Sequence, residues 1–290
     1  MHWASGVIDI LVKDEAEAIA AAQKYLSYFS GPQSGGEAPD QELLRTIIPE
    51  NPRRAYNVRS VIQTLADRGS VLELKAGYGK AAVTAFARLD GRAVGIVANQ
   101  PMHLAGAMDT PACLKMARFI QICDAFDIPV VILCDTPGLM VGPDVEKTGL
   151  MRHSARVLSA LANATIPVLT VVLRKAYGLG YYIMGSRPLD PAILLAWPTA
   201  EYGGMGLEGA VNIIHKKDLE AAASLEERAD LHARLTASLK KSNTAVESAA
   251  KFLYDDVIDP AETREILIKT LGTLPTPPRR DGRKRIIEPF

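Results

Sequence analysis

A repeated strand–loop–helix pattern constrains the fold of this 290-residue chain more than any other feature. Two β-branched runs begin with the same Ile-Pro-Val triplet, at Ile128 and at Ile166, which lie 38 residues apart. Each run ends in a glycine-containing turn, and a helical pattern from about Lys147 to Ala162 lies between them. A third apolar run covers residues 192–197. This order predicts parallel strands stacked side by side, with helices packed outside them.

The remainder of the chain is predicted to add strands and helices around this unit. Strands over 83–89 and 93–99 are joined at Asp90-Gly91, a dipeptide typical of tight hairpin turns. A helix is predicted from about Pro111 to Phe126, with Asp109 or Thr110 as its N-cap. Further predicted elements are a strand over 71–75 and helices within 1–29, over 57–65, over 217–254 and over 260–271.

The clearest candidate linker is the Gly- and Pro-rich run from Ser30 to Pro39. A boundary there divides the chain into residues 1–30 and residues 31–290. A segment of 30 residues is too short for an independent domain. We therefore expect it to be the end of a preceding domain, and residues 31–290 to form the main domain.

Composition excludes several classes of partner. Lys plus Arg and Asp plus Glu number 33 each, so no overall charge favours nucleic acid or a membrane surface. No apolar run approaches the roughly 18 residues of a membrane span, and the N-terminus lacks a signal-peptide pattern. Cys113, Cys123 and Cys134 fit no zinc spacing and predict buried thiols in a reducing compartment. We expect a cytoplasmic protein without a metal.

The best candidate site follows the second repeat strand, where Gly178 and Gly180 lead into the apolar stretch 181–184. A strand, then glycines, then a helix start presents backbone N–H groups to an anion or a developing oxyanion. Close packing of a helix on a strand requires glycines equally well. A dinucleotide fingerprint is excluded because Ile183 stands where its third glycine belongs.

Two further glycine-bearing stretches are candidates for the same site. The first ends the first repeat strand and consists of Asp135, Thr136, Pro137 and Gly138. The second precedes an apolar helix and consists of Gly204, Met205 and Gly206. Strand ends of open α/β sheets bind ligands, although ordinary turns also use Pro and Gly. No convincing acid, base, nucleophile or metal cluster accompanies them. A basic cluster near the end is either a solvated tail or a phosphate contact: Arg279, Arg280, Arg283, Lys284 and Arg285.

Seven motifs, in this order, resemble the carboxyltransferase β subunits of biotin-dependent acetyl- and propionyl-CoA carboxylases. They occupy residues 91–101, 117–126, 135–138, 152–153, 174–178, 196–201 and 259–264. The resemblance covers about residues 50–270. It implies an α/β, crotonase-like fold, a ββα spiral with flanking helices, in the C-terminal domain of such a subunit. Residues 1–30 then resemble the end of the N-terminal domain.

The resemblance implies transfer of a carboxyl group from carboxybiotin to the α-carbon of an acyl-CoA. In that family biotin itself is thought to take the α-proton, which agrees with the missing side-chain base. The backbone N–H groups of Leu179 and Gly180 correspond to the oxyanion hole that faces biotin, where the family usually has Gly and Ala. Tyr182 also departs from the family, at a position linked to acyl-chain choice. The implied biotin-binding residues are Tyr177, Gly178, Tyr182, Asp135, Thr136, Pro137 and Gly138, with Gly204, Met205 and Gly206 in a secondary position.

The resemblance also implies partners. Biotin is carried on a separate carrier protein or domain, a biotin carboxylase loads it, and subunits assemble as dimers of trimers. The acyl-CoA half of the site belongs to an N-terminal domain that this sequence lacks, which leaves a truncation, a split gene or a non-catalytic relative open. Two alternative functions remain: a biotin-dependent decarboxylase of a dicarboxylic acyl-CoA, and a non-catalytic oligomerisation module.

Overall fold

A mixed β-sheet forms the centre of the computed structural model, which describes residues 1–52, 54–275 and 287–288. Its strand order is β1-β2-β3-β4-β5-β6-β8, and β7 pairs with the end of β5. The first three strands are antiparallel neighbours, whereas β3, β4, β5, β6 and β8 run parallel. The bounds are β1 Leu72–Leu74, β2 Ala82–Leu89, β3 Arg92–Asn99, β4 Val130–Thr136, β5 Val168–Tyr177, β6 Ile193–Ala196, β7 Glu201–Gly203 and β8 Asp256–Val257.

Helices cover both faces of the sheet. They are α1 Glu15–Ser27, α2 Leu44–Ile47, α3 Val58–Leu65, α4 Thr110–Ala125, α5 Pro143–Lys147, α6 Leu150–Asn163, α7 Gly178–Tyr182, α8 Leu207–Ile214, α9 Lys216–Glu220, α10 Leu225–Ser242, α11 Ala245–Ala249 and α12 Thr263–Thr273. Short 3-10 turns occur at Gln41–Leu43, Leu104–Gly106, Arg187–Leu189 and Pro260–Glu262. In the described ranges, no helix has both the length and the apolar character needed to cross a bilayer.

Two apolar cores lie on opposite faces of the sheet, because successive side chains of a strand point to opposite sides. Along β4, Val130 and Ile132 belong to the core that contains α4 and α6. Val131 and Leu133 belong to the core that contains α3 and α12. The whole of β4 is buried, as is usual for parallel strands covered on both faces.

The repeat predicted from the sequence is confirmed, since β4 and β5 pair in parallel with Val130 opposite Val168. The hairpin is confirmed as well: Asp90 and Gly91 both have positive φ angles, 50° and 74°. The strand β5 ends at Tyr177, as predicted. Two expectations are corrected: the predicted 217–254 helix is divided into α9, α10 and α11, and β7 and β8 were not predicted. Two- and three-residue strands are too short to show an alternating pattern.

The first forty residues pack onto the rest of the chain. Tyr28 stacks on Phe86 with ring centroids 5.3 Å apart, and Phe29 meets the same ring edge-on at 5.6 Å. The Gly- and Pro-rich run lies along the β2–β3 turn, where the Gln33 N–H donates to the Gly91 carbonyl over 3.0 Å. This run is therefore held in place here. The predicted basic cluster within 279–285 lies outside the described residues.

Asp109 caps α4, and its replacement tests how much the cap stabilises the fold. Its Oδ1 accepts a hydrogen bond of 3.0 Å from the Ala112 N–H. We expect Asp109→Ala to lower the free energy of unfolding by about 1 kcal/mol, measured by urea denaturation. Asp109→Asn is the matched control, because asparagine caps helices equally well. Equal losses in both variants would contradict the capping role.

Candidate functional site

Three glycine-containing turns meet at the carboxyl ends of β4, β5 and β7. A Cβ atom added to Gly180 would lie 2.6 Å from the Cα of Gly138, and one added to Gly178 would lie 2.9 Å from the Gly204 carbonyl oxygen. Both separations are too short for real side-chain atoms, so glycine is required at these positions in this structure. The turns predicted from three separate stretches therefore form one continuous surface.

The turn after β5 contains two backbone donors for which the described part of the chain provides no partner. Gly178 has a φ of +56°, which turns the strand directly into α7. The sequence predicted a helix starting beyond Gly180, but α7 begins at Gly178 and contains both glycines. The first N–H groups of a helix have no carbonyl four residues earlier in the helix. Among the described residues, neither the Leu179 nor the Gly180 N–H donates to a neighbouring loop or strand.

The turn after β4 is fixed by its own hydrogen bonds. The Thr136 hydroxyl contacts the Gly138 carbonyl oxygen and amide nitrogen, each at 3.1 Å. The Gly138 carbonyl also accepts from the Met108 N–H at 3.1 Å, and the Met140 N–H donates to the Met108 carbonyl at 2.9 Å. Thr136 is fully buried. The backbone of Gly138 is thereby held against α7.

Asp135 stands at the centre of a buried ion network rather than on the surface. Its side chain is 0% exposed, its Oδ2 accepts from the Arg174 Nε at 3.0 Å, and its Oδ1 accepts from the Lys175 N–H at 3.1 Å. Arg174 also donates to the Arg54 carbonyl. The resemblance implies that Asp135 and Thr136 contact biotin, which stays a prediction. In this structure their buried, paired side chains hold the turn after β4.

Lys175 links this network to a fourth loop. Its Nζ lies 3.7 Å from the Asp135 Oδ1 and donates to the Ala105 carbonyl at 2.9 Å. Burial lowers the pKa of Lys175, and the nearby Asp135 carboxylate offsets only part of this effect. Leu104 and Ala105 have left-handed φ angles of 51° and 53°, an unfavourable conformation that such contacts maintain. The sequence did not predict these roles, although Arg174 and Lys175 are adjacent cations at the end of an apolar strand and could have indicated a buried ion pair.

Tyr177 is held by a residue from the neighbouring strand. Its hydroxyl donates to the Glu201 Oε2 at 2.8 Å, and the Glu201 Oε1 pairs with the Lys240 Nζ at 2.7 Å. Burial, followed by the Glu201 charge, raises the pKa of Tyr177. The phenol therefore stays protonated and donates within the chain. Glu201 lies in the 196–201 motif, but the sequence did not predict that its carboxylate would accept a hydrogen bond from Tyr177.

Large side chains of α7 and of the turn after β7 are partly exposed. Leu179 is 40% exposed, Tyr182 41% and Met205 42%. Apart from the adjacent residues, no described atom lies within 4 Å of a Cβ added to Gly204 or Gly206, so packing within the described residues does not require glycine there. The described residues contain no group of three His, Cys, Asp or Glu side chains able to hold a metal.

The sequence matches the carboxyl transferase domain family over residues 1–285. It is 42% identical over 279 residues to the methylmalonyl-CoA carboxyltransferase 12S subunit of Propionibacterium freudenreichii subsp. shermanii, covering 92% of this chain and 52% of that subunit. It is 39% identical over 282 residues to the propionyl-CoA carboxylase carboxyltransferase subunit of Haloferax mediterranei, covering 93% of this chain and 54% of that one. The chain spans about half the length of these curated relatives.

Solved structures give the same result. A transcarboxylase 12S crystal structure, a hexamer with methylmalonyl-coenzyme A and methylmalonic acid bound, superposes with a TM-score of 0.86 at 40% identity, covering 98% of this chain and 57% of that one. A single-chain, multi-domain long-chain acyl-CoA carboxylase superposes with a TM-score of 0.85 at 41% identity, covering 93% of this chain and 26% of that one. The crotonase-like α/β fold expected from the sequence is confirmed.

Proposed function

Because the chain belongs to the carboxyl transferase domain family, we propose that it forms the biotin-facing half of a carboxyltransferase site. In this proposal the Leu179 and Gly180 N–H groups donate to the ureido oxygen of biotin. The observation that carries the proposal is the pair of unpartnered N–H groups in the first turn of α7. Such donors, fixed before the reaction, stabilise an oxyanion as it develops.

The surroundings of these donors support an organic ligand rather than a simple ion. Leu179, Tyr182 and Met205 provide exposed apolar surface beside the N–H groups, where a ring system can pack. Pro137 and Gly138 form the opposite wall, because the Gly138 backbone is in contact with α7. Gly204 and Gly206 leave open space beyond Gly178, which gives a ligand room to approach.

The roles of this chain's residues are to bind and to position. Carboxybiotin supplies the carboxyl group and, once it has lost that group, a basic ureido oxygen or nitrogen. The two N–H groups hold the ureido oxygen where negative charge develops. Asp135, Arg174 and Lys175 keep the turn after β4 and the 104–106 loop in place. Tyr177 and Glu201 hold the end of β5 against β7.

The proposal requires partners. The relatives are about twice as long as this chain, and we propose that an N-terminal carboxyltransferase domain of another subunit binds the acyl-CoA. A biotin carrier and a biotin carboxylase deliver the carboxyl group, and the subunits assemble as a dimer of trimers. We also propose a cytoplasmic location, because three buried free thiols suit a reducing compartment: Cys113, Cys123 and Cys134.

The need for a partner domain gives a direct prediction. The purified chain alone is expected to show no biotin-dependent carboxyl transfer to acetyl- or propionyl-CoA, and to gain it when an N-terminal carboxyltransferase domain is added. The measurement is radioactive carboxyl transfer from carboxybiotin. Full activity of the isolated chain would contradict the divided site.

Binding of biotin tests the site itself, without the partner. A crystal of the chain soaked with biotin is expected to place the ureido oxygen within hydrogen-bond distance of the Leu179 or Gly180 nitrogen. Biotin bound elsewhere, with both N–H groups untouched, would contradict the assignment. Because the biotin soak does not require activity, the biotin-binding site and the need for a partner domain are tested independently.

A further inference from the structure

A second cluster of charged side chains lies between the end of β1 and the helices α4 and α6. It surrounds a cavity of about 80 Å³ whose wall contains four cations and one carboxylate: Lys75, Lys115, Arg118, Arg156 and Glu288. Ser5, Gly6 and Tyr78 complete the polar part of the wall. A single water needs roughly 10–15 Å³ in a comparable measure, so the cavity has room for several waters or for one small oxyanion.

Lys115 is the reason to expect an anion here. Its side chain is 3% exposed, and its Nζ donates to the Tyr78 carbonyl at 2.7 Å and to the Lys75 carbonyl at 3.3 Å. Among the described residues, no carboxylate lies within ion-pair distance of this Nζ. Burial lowers the pKa of Lys115 to about 8, with smaller effects of both signs from neighbouring charges. A buried ammonium without a counter-ion is costly, and an anion that enters the cavity removes that cost.

The carboxylates near this cavity are engaged by other cations. The Lys75 Nζ pairs with the Asp9 Oδ1 at 3.0 Å. The Arg156 Nε donates to the Glu288 Oε2 at 2.8 Å, and the Arg118 Nη1 donates to the Glu288 carbonyl at 2.7 Å. The Glu288 carboxylate therefore already occupies an anion position on Arg156. It forms no ion pair with Lys115, and the charges of Glu73 and Asp109 offset only part of the effect of burial on the Lys115 pKa.

We propose that this cavity binds a small oxyanion, a phosphate or a short dicarboxylate, which Lys115 and Arg156 contact together and with which the Glu288 carboxylate competes. A guanidinium matches the paired oxygens of either anion, and an ammonium adds a point charge. Tyr78 and Ser5 lie in the same wall. The Ser5 hydroxyl donates to the His2 carbonyl at 3.2 Å, so it would have to exchange this partner to bind the anion. The proposal concerns a different set of residues from the biotin-facing turns and does not depend on the proposed function.

Thermal unfolding of the full chain tests the proposal with inorganic phosphate and, separately, malonate at constant ionic strength. We expect a saturable rise of the melting temperature with at least one of the two anions, as mass action requires for a ligand that binds the folded state. Lys115→Met and Arg156→Gln are each expected to weaken binding by at least about tenfold. Glu288→Gln removes a competing charge and is expected to strengthen binding severalfold.

Lys216→Met is the matched control, because Lys216 is an exposed lysine on α9 that pairs with Glu220. It should leave the response unchanged. Arg156 is partly exposed, so Arg156→Gln keeps the test valid if Lys115→Met fails to fold. Saturation with phosphate alone identifies a phosphate site, and saturation with malonate alone identifies a carboxylate site. No saturable response of the unaltered chain would overturn the proposal. So would a response of Lys115→Met and Arg156→Gln that is as strong as that of the unaltered chain.

Discussion

Gly180→Pro is expected to slow carboxyl transfer by the partnered enzyme about 100- to 1000-fold relative to Gly180→Ala. Proline lacks the N–H group that we assign to the ureido oxygen. Both variants add a Cβ atom, which would lie 2.6 Å from the Gly138 Cα and force the two turns apart. The ratio of their rates therefore reports the donor, because the crowding is common to both variants.

Controls for this experiment concern folding and binding. The first turn of a helix tolerates proline, because its N–H groups have no intrahelical partner. The melting temperatures of the two variants should thus differ by only a few degrees. Equal rates in two folded variants would remove Gly180 from the oxyanion hole and leave Leu179 as the remaining donor.

Asp135→Asn is expected to destabilise the fold by about 3–5 kcal/mol, the usual cost of breaking a buried ion pair by removing one partner. The change leaves the Arg174 guanidinium, which is itself buried, without its carboxylate. Lys175 loses its counter-charge as well, so the 104–106 loop is expected to loosen. The measurement is the free energy of unfolding in urea.

The matched control is Asp144→Asn, an exposed aspartate that pairs with Lys147 at 2.9 Å. Exposed pairs of this kind contribute little, so its free energy of unfolding should change by less than about 0.5 kcal/mol. A small loss for Asp135→Asn, comparable with that of the control, would show that water enters the network and compensates the charge. The positioning role of Asp135 would then be untenable.

Local sequence patterns predict the repeated part of the fold because each pattern reflects a local cause. The β-branched runs predict β4 and β5, Asp90-Gly91 predicts the hairpin, and Asp109 predicts the start of α4. The short strands β7 and β8 escape prediction because two or three residues cannot show an alternating pattern, and only their pairing with β5 and β6 defines them.

Local sequence patterns predict only part of the candidate site. The sequence contains Gly178 and Gly180, but it does not show why glycine occurs at these positions, because close packing and anion binding both require glycine there. The structure provides the packing reason through Gly138 and Gly204. It also shows that the Asp135 and Thr136 side chains are buried and support the turn after β4, which the sequence did not indicate.

By itself, the sequence determined the repeated strands β4 and β5 with their turns, the hairpin at Asp90-Gly91, and the resemblance to a carboxyltransferase. These depend on residue types and short spacings. Only the tertiary structure decided that three turns form one surface, that Arg174 and Lys175 neutralise Asp135, and that Lys115 lies buried beside a cavity. Those facts depend on contacts between residues that are distant in the chain. Burial makes a charge pair stronger and an unpaired charge more costly, and no local sequence pattern specifies which neighbours a buried charge will have.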